Sequence, residues 1–451
     1  VKCLFINPEV AEFYEGISPD QIPLIRKTVS RSKTLQNRIN FSRQSFSGLG
    51  LLTAAAVAAQ VNPELEIHFF DENMESVNPE VRLAQGYDLV VLGGTVYQMN
   101  RMLSLIHTAR RNDLPVVIGG AAAMTFPDLF KREGVSVILG ESETLFPDFI
   151  KDFQKGAPKG VYREPIGSGI DLSDSPIPDF SLIAKNHYSF IGIQTTRGCP
   201  FNCEFCQVSS WLGAKYRHKD VAQIIEEIKT VKSIWPNAFF FFYDDNLFAD
   251  RHFGTALFEA MASEDICLGR WGTNSDASIF REDRLLDLAL GRGRLDYLGI
   301  GFESMSQDSL ESIGNPGKAG LLESYGDIVV KMKKKGVGVF GYFMFGFENS
   351  RPQDLSEIVD FIRAHDINGQ ISQLVPMPGT ALYQRLLLEY EGKFDKIKKG
   401  PLGEWRLLRN YLLGKTGMSQ AEMTKLLAGA YTHIYDDARP ANEDLLPAPF
   451  I

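Results

Sequence analysis

The segment FIGIQTTRGCPFNCEFC, Phe190 to Cys206, joins a strand to a loop that holds three of the chain's five cysteines. FIGI is an apolar run bounded by polar and turn-forming residues, so it reads as a buried strand. Its carboxyl end runs straight into Cys199, Cys203 and Cys206, spaced by three and two residues. A loop this short can turn all three sulfurs toward one point. Two thiols would suggest a disulfide or a redox pair. Four would complete a structural zinc site or a fully ligated iron–sulfur cluster. Three leave one position without a protein ligand, which is the mark of a catalytic metal site. A zinc site closed by a distant histidine is the competing reading, and His218 in YRHKD is its nearest candidate. Cys3 and Cys267 are isolated and read as small buried hydrophobes.

Downstream, a helix over Val221–Ser233 precedes AFFFFYDD, and RWGTNSD, DYLGIGFES, VFGYFMFGF and GQISQLVP follow with helical segments between them. Six strand–helix units over 190–378 predict a partial TIM-type (β/α)6 barrel with its chemistry at the carboxyl ends of the strands. The phenylalanines of these strands read as barrel core before they read as an apolar substrate site. Upstream, residues 1–150 alternate the strands KCLFINP, EIHFFDE, YDLVVLGG, LPVVIGG and VSVILGE with helical segments such as GLGLLTAAAVAAQ. This predicts a five-stranded, doubly wound, Rossmann-like parallel sheet, an α/β unit that binds its ligand at the strand ends. Small residues cluster there, at Gly93–Thr95, Gly119–Ala123 and Gly140–Glu143, and let a large group approach the backbone. No G-x-G-x-x-G follows the first strand, so the nicotinamide reading is poor. Residues 9–47 form an insertion longer than a usual strand-to-helix loop, at the ligand end of the sheet. Residues 151–189 read as a Ser-, Asp- and Pro-rich connector. Residues 379–451 read as a small helical C-terminal segment ending in the irregular tail ARPANEDLLPAPFI.

The 451 residues are 44% hydrophobic and 23% charged, with a net charge of −9. That balance suits a globular chain and argues against a nucleic-acid partner held through phosphates. KMKKKG and KIKKG read as solvated helix ends. No apolar window reaches membrane-spanning length, and KCLFINPE does not open a signal peptide. A reducing cytoplasm is the expected location.

The C-x3-C-x2-C loop after a first barrel strand, with the aromatic Phe205 before the third cysteine, resembles the radical S-adenosylmethionine (SAM) superfamily. The resemblance implies a 4Fe-4S cluster on Cys199, Cys203 and Cys206, whose open iron takes the amino and carboxylate groups of SAM. It places further SAM contacts at Asp245 and Asn246 in YDDN, at Glu303 in GFES and at Gln373 in GQISQLVPMPGT. The first sheet resembles a cobalamin-binding domain. That resemblance assigns cofactor contacts to Gly48 and Leu49, to Thr95 and Val96, to Gly119, Gly120 and Ala121, and to Glu141 of GESE. The helix face Ala54, Ala55 and Ala58 either leaves room for the cobalamin tail or packs on the sheet. The D-x-H-x-x-G motif is missing, and His68 and His107 lie within a strand and a helix. Cobalt's lower face is therefore expected to carry no protein histidine, with Tyr97 and Gln98 as candidates to face it.

Both resemblances together, over roughly residues 1–375, imply a cobalamin-dependent radical SAM enzyme. The commonest activity of that class is methylation of an unactivated carbon through methylcobalamin and a 5′-deoxyadenosyl radical. It needs a small-molecule or natural-product substrate and an external one-electron reductant of the flavodoxin or ferredoxin type. An oxidative cyclase or ring-rearranging enzyme with the same cofactors is the alternative, and a non-enzymatic sensor is a third reading. Radical chemistry at an sp3 carbon needs no general base, so no catalytic acid or base is assigned.

Overall fold

The computed structural model describes residues 1–9, 48–75, 78–390 and 402–435. The predicted insertion beyond Glu9, the KIKKG run and the tail ARPANEDLLPAPFI lie outside the described residues.

The first sheet contains β1 (Lys2–Asn7), β2 (Glu66–Asp71), β3 (Leu89–Gly93), β4 (Val116–Gly119), β5 (Ser136–Leu139) and β6 (Val161–Arg163). Their order is β2-β1-β3-β4-β5-β6, all parallel. Strands β3 and β5 are buried along almost their whole length, as expected for a sheet covered on both faces. The chain leaves β1 toward β2 on one side and later returns to β3 on the other. This reversal opens a crevice at the carboxyl ends of β1 and β3. The sheet has six strands, not the five expected from sequence. The sixth, VYR, lies in the stretch read as connector and follows the helix Ser142–Gln154, which itself runs past residue 150. Three residues carry no periodic signal, and pairing with β5 makes them a strand.

The second sheet contains β7 (Ile191–Ile193), β10 (Phe240–Phe242), β11 (Gly269–Ser275), β12 (Gly293–Glu303), β13 (Val339–Phe345) and β14 (Asn368–Gln373). The order β14-β13-β12-β11-β10-β7 is parallel throughout and leaves β7 and β14 as edges, so this is the partial barrel the sequence predicts. Alternation along β10 sorts its phenylalanines. Phe240 and Phe242 join the main core with Ile224, Ile228 and Leu257 of the covering helices. Phe241 packs on the opposite face with Phe190, Tyr297 and Phe340, and Tyr243 and Tyr342 pack against them. The lumen is thus plugged by aromatic rings. A short antiparallel pair, β8 (Thr196–Arg197) with β9 (Arg217–His218), brackets the cysteine loop.

The C-terminal segment contributes the helices Ala381–Glu389, Gly403–Lys415 and Gln420–Ile434. Tyr431 and Tyr435 place their hydroxyls on the backbone of β14, 3.0 Å from Ile371 N and 3.2 Å from Gly369 N. They cover an edge that would otherwise expose unpaired amides. Trp405 meets Phe126 edge-on at 5.5 Å and so joins this segment to the first sheet. Cys3 is buried in β1 as expected, whereas Cys267 is exposed, because in the link before β11 the buried positions are its neighbours Ile266 and Leu268. Among the described residues no helix is long and apolar enough to cross a membrane.

Gly192 in β7 has the Tyr243 ring against its Cα, and a Cβ there would overlap the ring. Gly192→Ala is expected to lower stability by about 1–3 kcal/mol, the usual cost of overpacking, read as a shift in the urea-unfolding midpoint.

Candidate active site

The cysteine loop is fastened on every side. Gly198 has φ +88°, and a Cβ there would strike the Lys215 carbonyl, so the turn into the loop requires glycine. Glu204 N donates to Ile313 O at 2.9 Å, and Glu204 O accepts from Leu382 N at 2.9 Å. Arg385 Nε adds a 2.6 Å bond to the Glu204 carboxylate. Cys206 N donates to Cys203 O at 3.0 Å, and Asn315 Nδ2 stands 3.7 Å from Cys203 Sγ.

Burial pushes the Cys199 thiol up to about 11 and the Cys206 thiol up to about 12, and raises Cys203 as well. Of these crowded thiols Cys203 is buried and the other two are partly buried, and a cation joining them would favour the thiolate form, which is how an iron–sulfur core would fit this loop. No three His, Cys, Asp or Glu side chains converge as ligands of one ion among the described residues. A cubane does not need that, because each cysteine binds a different iron. His218 is exposed and stacks on Phe253 at 4.4 Å, so it does not complete a zinc site with the cysteines.

The YDDN carboxylates divide their work. Asp244 is buried and accepts four bonds of 2.5–3.0 Å from the amides and hydroxyls of Thr195 and Thr196. Burial raises it to about 6 against the pull of those donors. Asp245, three residues beyond β10, is exposed. Its low-polarity surroundings and the charge of Asp244 push it up, and its contact with water softens that push. Asn246 turns away, donating to Asp276 Oδ2 at 2.9 Å. Glu303 ends β12 at φ +64°, and its carboxylate folds back over Gly301 to pair with Lys318. Lys318 also reaches Gly301 O at 3.2 Å and feels the charge of Cys203. Gln373 accepts from Gln420 Nε2 at 3.1 Å. Phe205 faces a separate hollow of about 240 Å3 outside the loop, beside Glu348 and Arg385.

A second cavity, of about 390 Å3, lies between the two sheets. Its first wall is the glycine-edged end of the first sheet, including Gly48, Leu49, Thr95, Gln98, Gly119, Gly120, Ala121 and Glu141. Gly120 has φ +82°, and its Cβ position lies 3.1 Å from Gly94 O, so β3 and β4 end in close backbone contact. Ala54 lines the cavity, while Ala55 and Ala58 are fully packed. Val96 and Tyr97 do not line it. Gln98 does, but its amide is committed: Nε2 donates to Pro8 O at 2.6 Å and Oε1 accepts from Thr95 N at 2.8 Å. No histidine lines this cavity among the described residues.

The opposite wall comes from the barrel, through Gln194, Arg197, Leu212 and Tyr243. Sequence reasoning assigned no role to these four, nor to Lys318 or Asn315. Arg197 is 2.7 Å from Glu143 Oε1 and 3.2 Å from Glu141 Oε2. Burial would raise Glu143, yet the Arg197 guanidinium holds it down at about 2. Glu141 also takes both terminal nitrogens of Arg217, so its carboxylate faces arginines.

Residues 193–362 match the Radical SAM superfamily. The chain is 27% identical over 421 residues to the bacteriochlorophyllide d C-12(1)-methyltransferase of Chlorobaculum tepidum, covering 88% of this chain and 89% of that protein. It is 23% identical over 342 residues to the hopanoid C-2 methylase of Rhodopseudomonas palustris, covering 74% of this chain and 63% of that protein. The radical SAM methyltransferase TsrM of Kitasatospora setae, solved with cobalamin and a 4Fe-4S cluster, superposes with a TM-score of 0.61 at 15% identity, over 87% of this chain and 78% of that one. OxsB, a cobalamin-dependent SAM radical enzyme, gives 0.60 at 15% identity, over 86% of this chain and 55% of that one. The shared fold therefore spans both sheets.

Cys203→Ala is expected to lose most iron after anaerobic reconstitution and all 5′-deoxyadenosine formation from SAM, measured by iron assay and mass spectrometry. Asp244→Ala is expected to destabilise the chain by about 2–5 kcal/mol, because four donors lose their acceptor, and a thermal melt reads the loss.

Proposed function

This chain is a radical SAM enzyme, and we propose that it is a cobalamin-dependent methylase acting on an unactivated carbon of a small-molecule substrate. One observation carries the proposal: the glycine-edged ends of the first sheet and the strand ends of the barrel wall one cavity, with the cysteine loop starting from that wall at Arg197. When bound, the cluster and SAM supply the radical that removes hydrogen, and cobalamin supplies the methyl group. Net, two SAM molecules, one substrate C–H and two electrons give one C–CH3, S-adenosylhomocysteine, methionine and 5′-deoxyadenosine. The electrons come from an external reductant of the flavodoxin or ferredoxin type, which suits a cytoplasmic enzyme.

The chain's own residues bind, orient and exclude water. Cys199, Cys203 and Cys206 would hold the cluster, with Lys318 and Asn315 supplying positive charge and a donor at Cys203. Asp245 is the carboxylate at the mouth that is available to a SAM ammonium. Thr95, Gly119, Gly120 and Ala121 would hold cobalamin against the first sheet. Tyr243 closes the floor of the cavity over the aromatic plug, so reacting groups are kept above it. The division into a cobalamin unit that runs to the end of β6 near residue 163, a shorter connector, a barrel over 190–378 and a C-terminal segment is our assignment. Methyl transfer is favoured over cyclisation because the chain resembles methyltransferases along most of its length.

Anaerobic reconstitution with cobalamin, SAM, a reductant and cell extract should yield S-adenosylhomocysteine and 5′-deoxyadenosine together. 5′-Deoxyadenosine without S-adenosylhomocysteine would instead indicate cyclisation or rearrangement. Ala121→Trp should fill the cavity, cutting cobalamin uptake at least tenfold by absorbance while leaving the iron content unchanged.

A further inference from the structure

Among the described residues, a buried cluster of four charged side chains lies between the two proposed cofactor sites. Glu141 and Glu143 follow Gly140 directly beyond the carboxyl end of β5, on the first-sheet wall of the cavity. Arg197 lies in β8, two residues before Cys199. Its Nη1 is 3.2 Å from Glu141 and its Nη2 2.7 Å from Glu143, while Nε donates to Gln194 Oε1 at 2.8 Å. One planar fork therefore spans two carboxylates of the first sheet and one amide of the barrel. From the other side of the loop, Arg217 of β9 binds Glu141 and reaches Ile170 O at 2.8 Å. Ser175 Oγ donates to Glu143 Oε1 at 2.8 Å. The four charged side chains are between 4% and 11% exposed, so water screens them little.

A rigid guanidinium with several donors fixes distance and angle together, which a point-charge ammonium cannot do. Both strands that bracket the cysteine loop are tied in this way to the wall assigned to cobalamin. We propose that Arg197 is a positioning residue: bridged to Glu141 and Glu143, it sets the spacing between the cluster loop and the cobalamin wall and thereby couples radical formation to methyl transfer. The proposal rests on the cobalamin reading of the first-sheet cavity. A radical formed on the substrate must meet the methyl donor at contact distance. A misplacement of about 1 Å can cost about 100-fold in such a step, while SAM cleavage, which needs only the cluster side, continues.

The test compares Arg197→Gln, Arg197→Lys and Glu143→Gln with the parent chain, each reconstituted with cluster and cobalamin. Iron and cobalamin content are measured first. The enhancement of cob(II)alamin electron-spin relaxation by the reduced cluster is then recorded, since it falls steeply with distance. Last comes the ratio of 5′-deoxyadenosine to S-adenosylhomocysteine. Expected are near-parental cofactor contents, a weakened or broadened relaxation enhancement, and a ratio raised about tenfold or more in Arg197→Gln. Smaller changes are expected in Arg197→Lys and in Glu143→Gln, which keeps a hydrogen bond and serves if the stronger variant fails to fold. Unchanged relaxation and ratio in the folded variants would overturn the proposal, and so would loss of cobalamin or iron from Glu143→Gln. A parent chain that takes up no cobalamin overturns the cofactor reading together with the proposal. A cobalamin-loaded parent with unaffected variants overturns the proposal alone.

Discussion

The buried Asp244 carboxylate accepts the amides and hydroxyls of both Thr195 and Thr196, and the direction of the cysteine loop depends on this contact. Strand β7 is only three residues long and lies at the edge of the barrel, so its own ladder holds it weakly. Asp244 follows β10 by two residues and fastens the exit of β7 to its neighbour. Leaving that carboxylate buried without donors would cost several kcal/mol. The chain therefore leaves the strand in one direction, and Gly198 turns it into the loop.

From that fixed exit the remaining attachments follow in order. Glu204, between the second and third cysteines, is held through its backbone by Ile313 and Leu382 and through its carboxylate by Arg385. The loop that carries the three thiols is thus clamped between the barrel and the C-terminal helices. Rigid support around a deliberately incomplete ligand set is what a site needs if its last ligand is to be a cosubstrate.

The fold was largely legible because its signals are periodic. Apolar runs of strand length between helical segments gave both parallel sheets, and only β6 escaped, since Val161–Arg163 is too short to show a period. The cysteine spacing is local and was equally plain. What sequence could not show is pairing across distance. Glu141 read as a contact for the cofactor, but whether its carboxylate meets a ligand or two arginines depends on residues 56 and 76 positions away. Asn246 and Glu303 sit at strand ends as expected, yet Asp276 and Lys318 engage their side chains. Lys318 itself, on the four-residue helix Pro316–Ala319, carries no motif that would mark it.

The aromatic residues of the barrel complete the picture in a way composition alone could not. Phe241, Phe190, Tyr297 and Phe340 fill the lumen, and the hydroxyls of Tyr297 and Tyr342 meet at 2.6 Å above them. A filled lumen cannot admit a substrate from below. The accessible space is consequently pushed to the upper rim, where Tyr243 is both the last ring of the plug and the first residue of the cavity wall. The first sheet closes over that rim with its glycine-edged strand ends. The glycine at 192 that lets the Tyr243 ring lie against β7 therefore serves the cavity as much as the core, because a ring displaced upward would occupy that cavity.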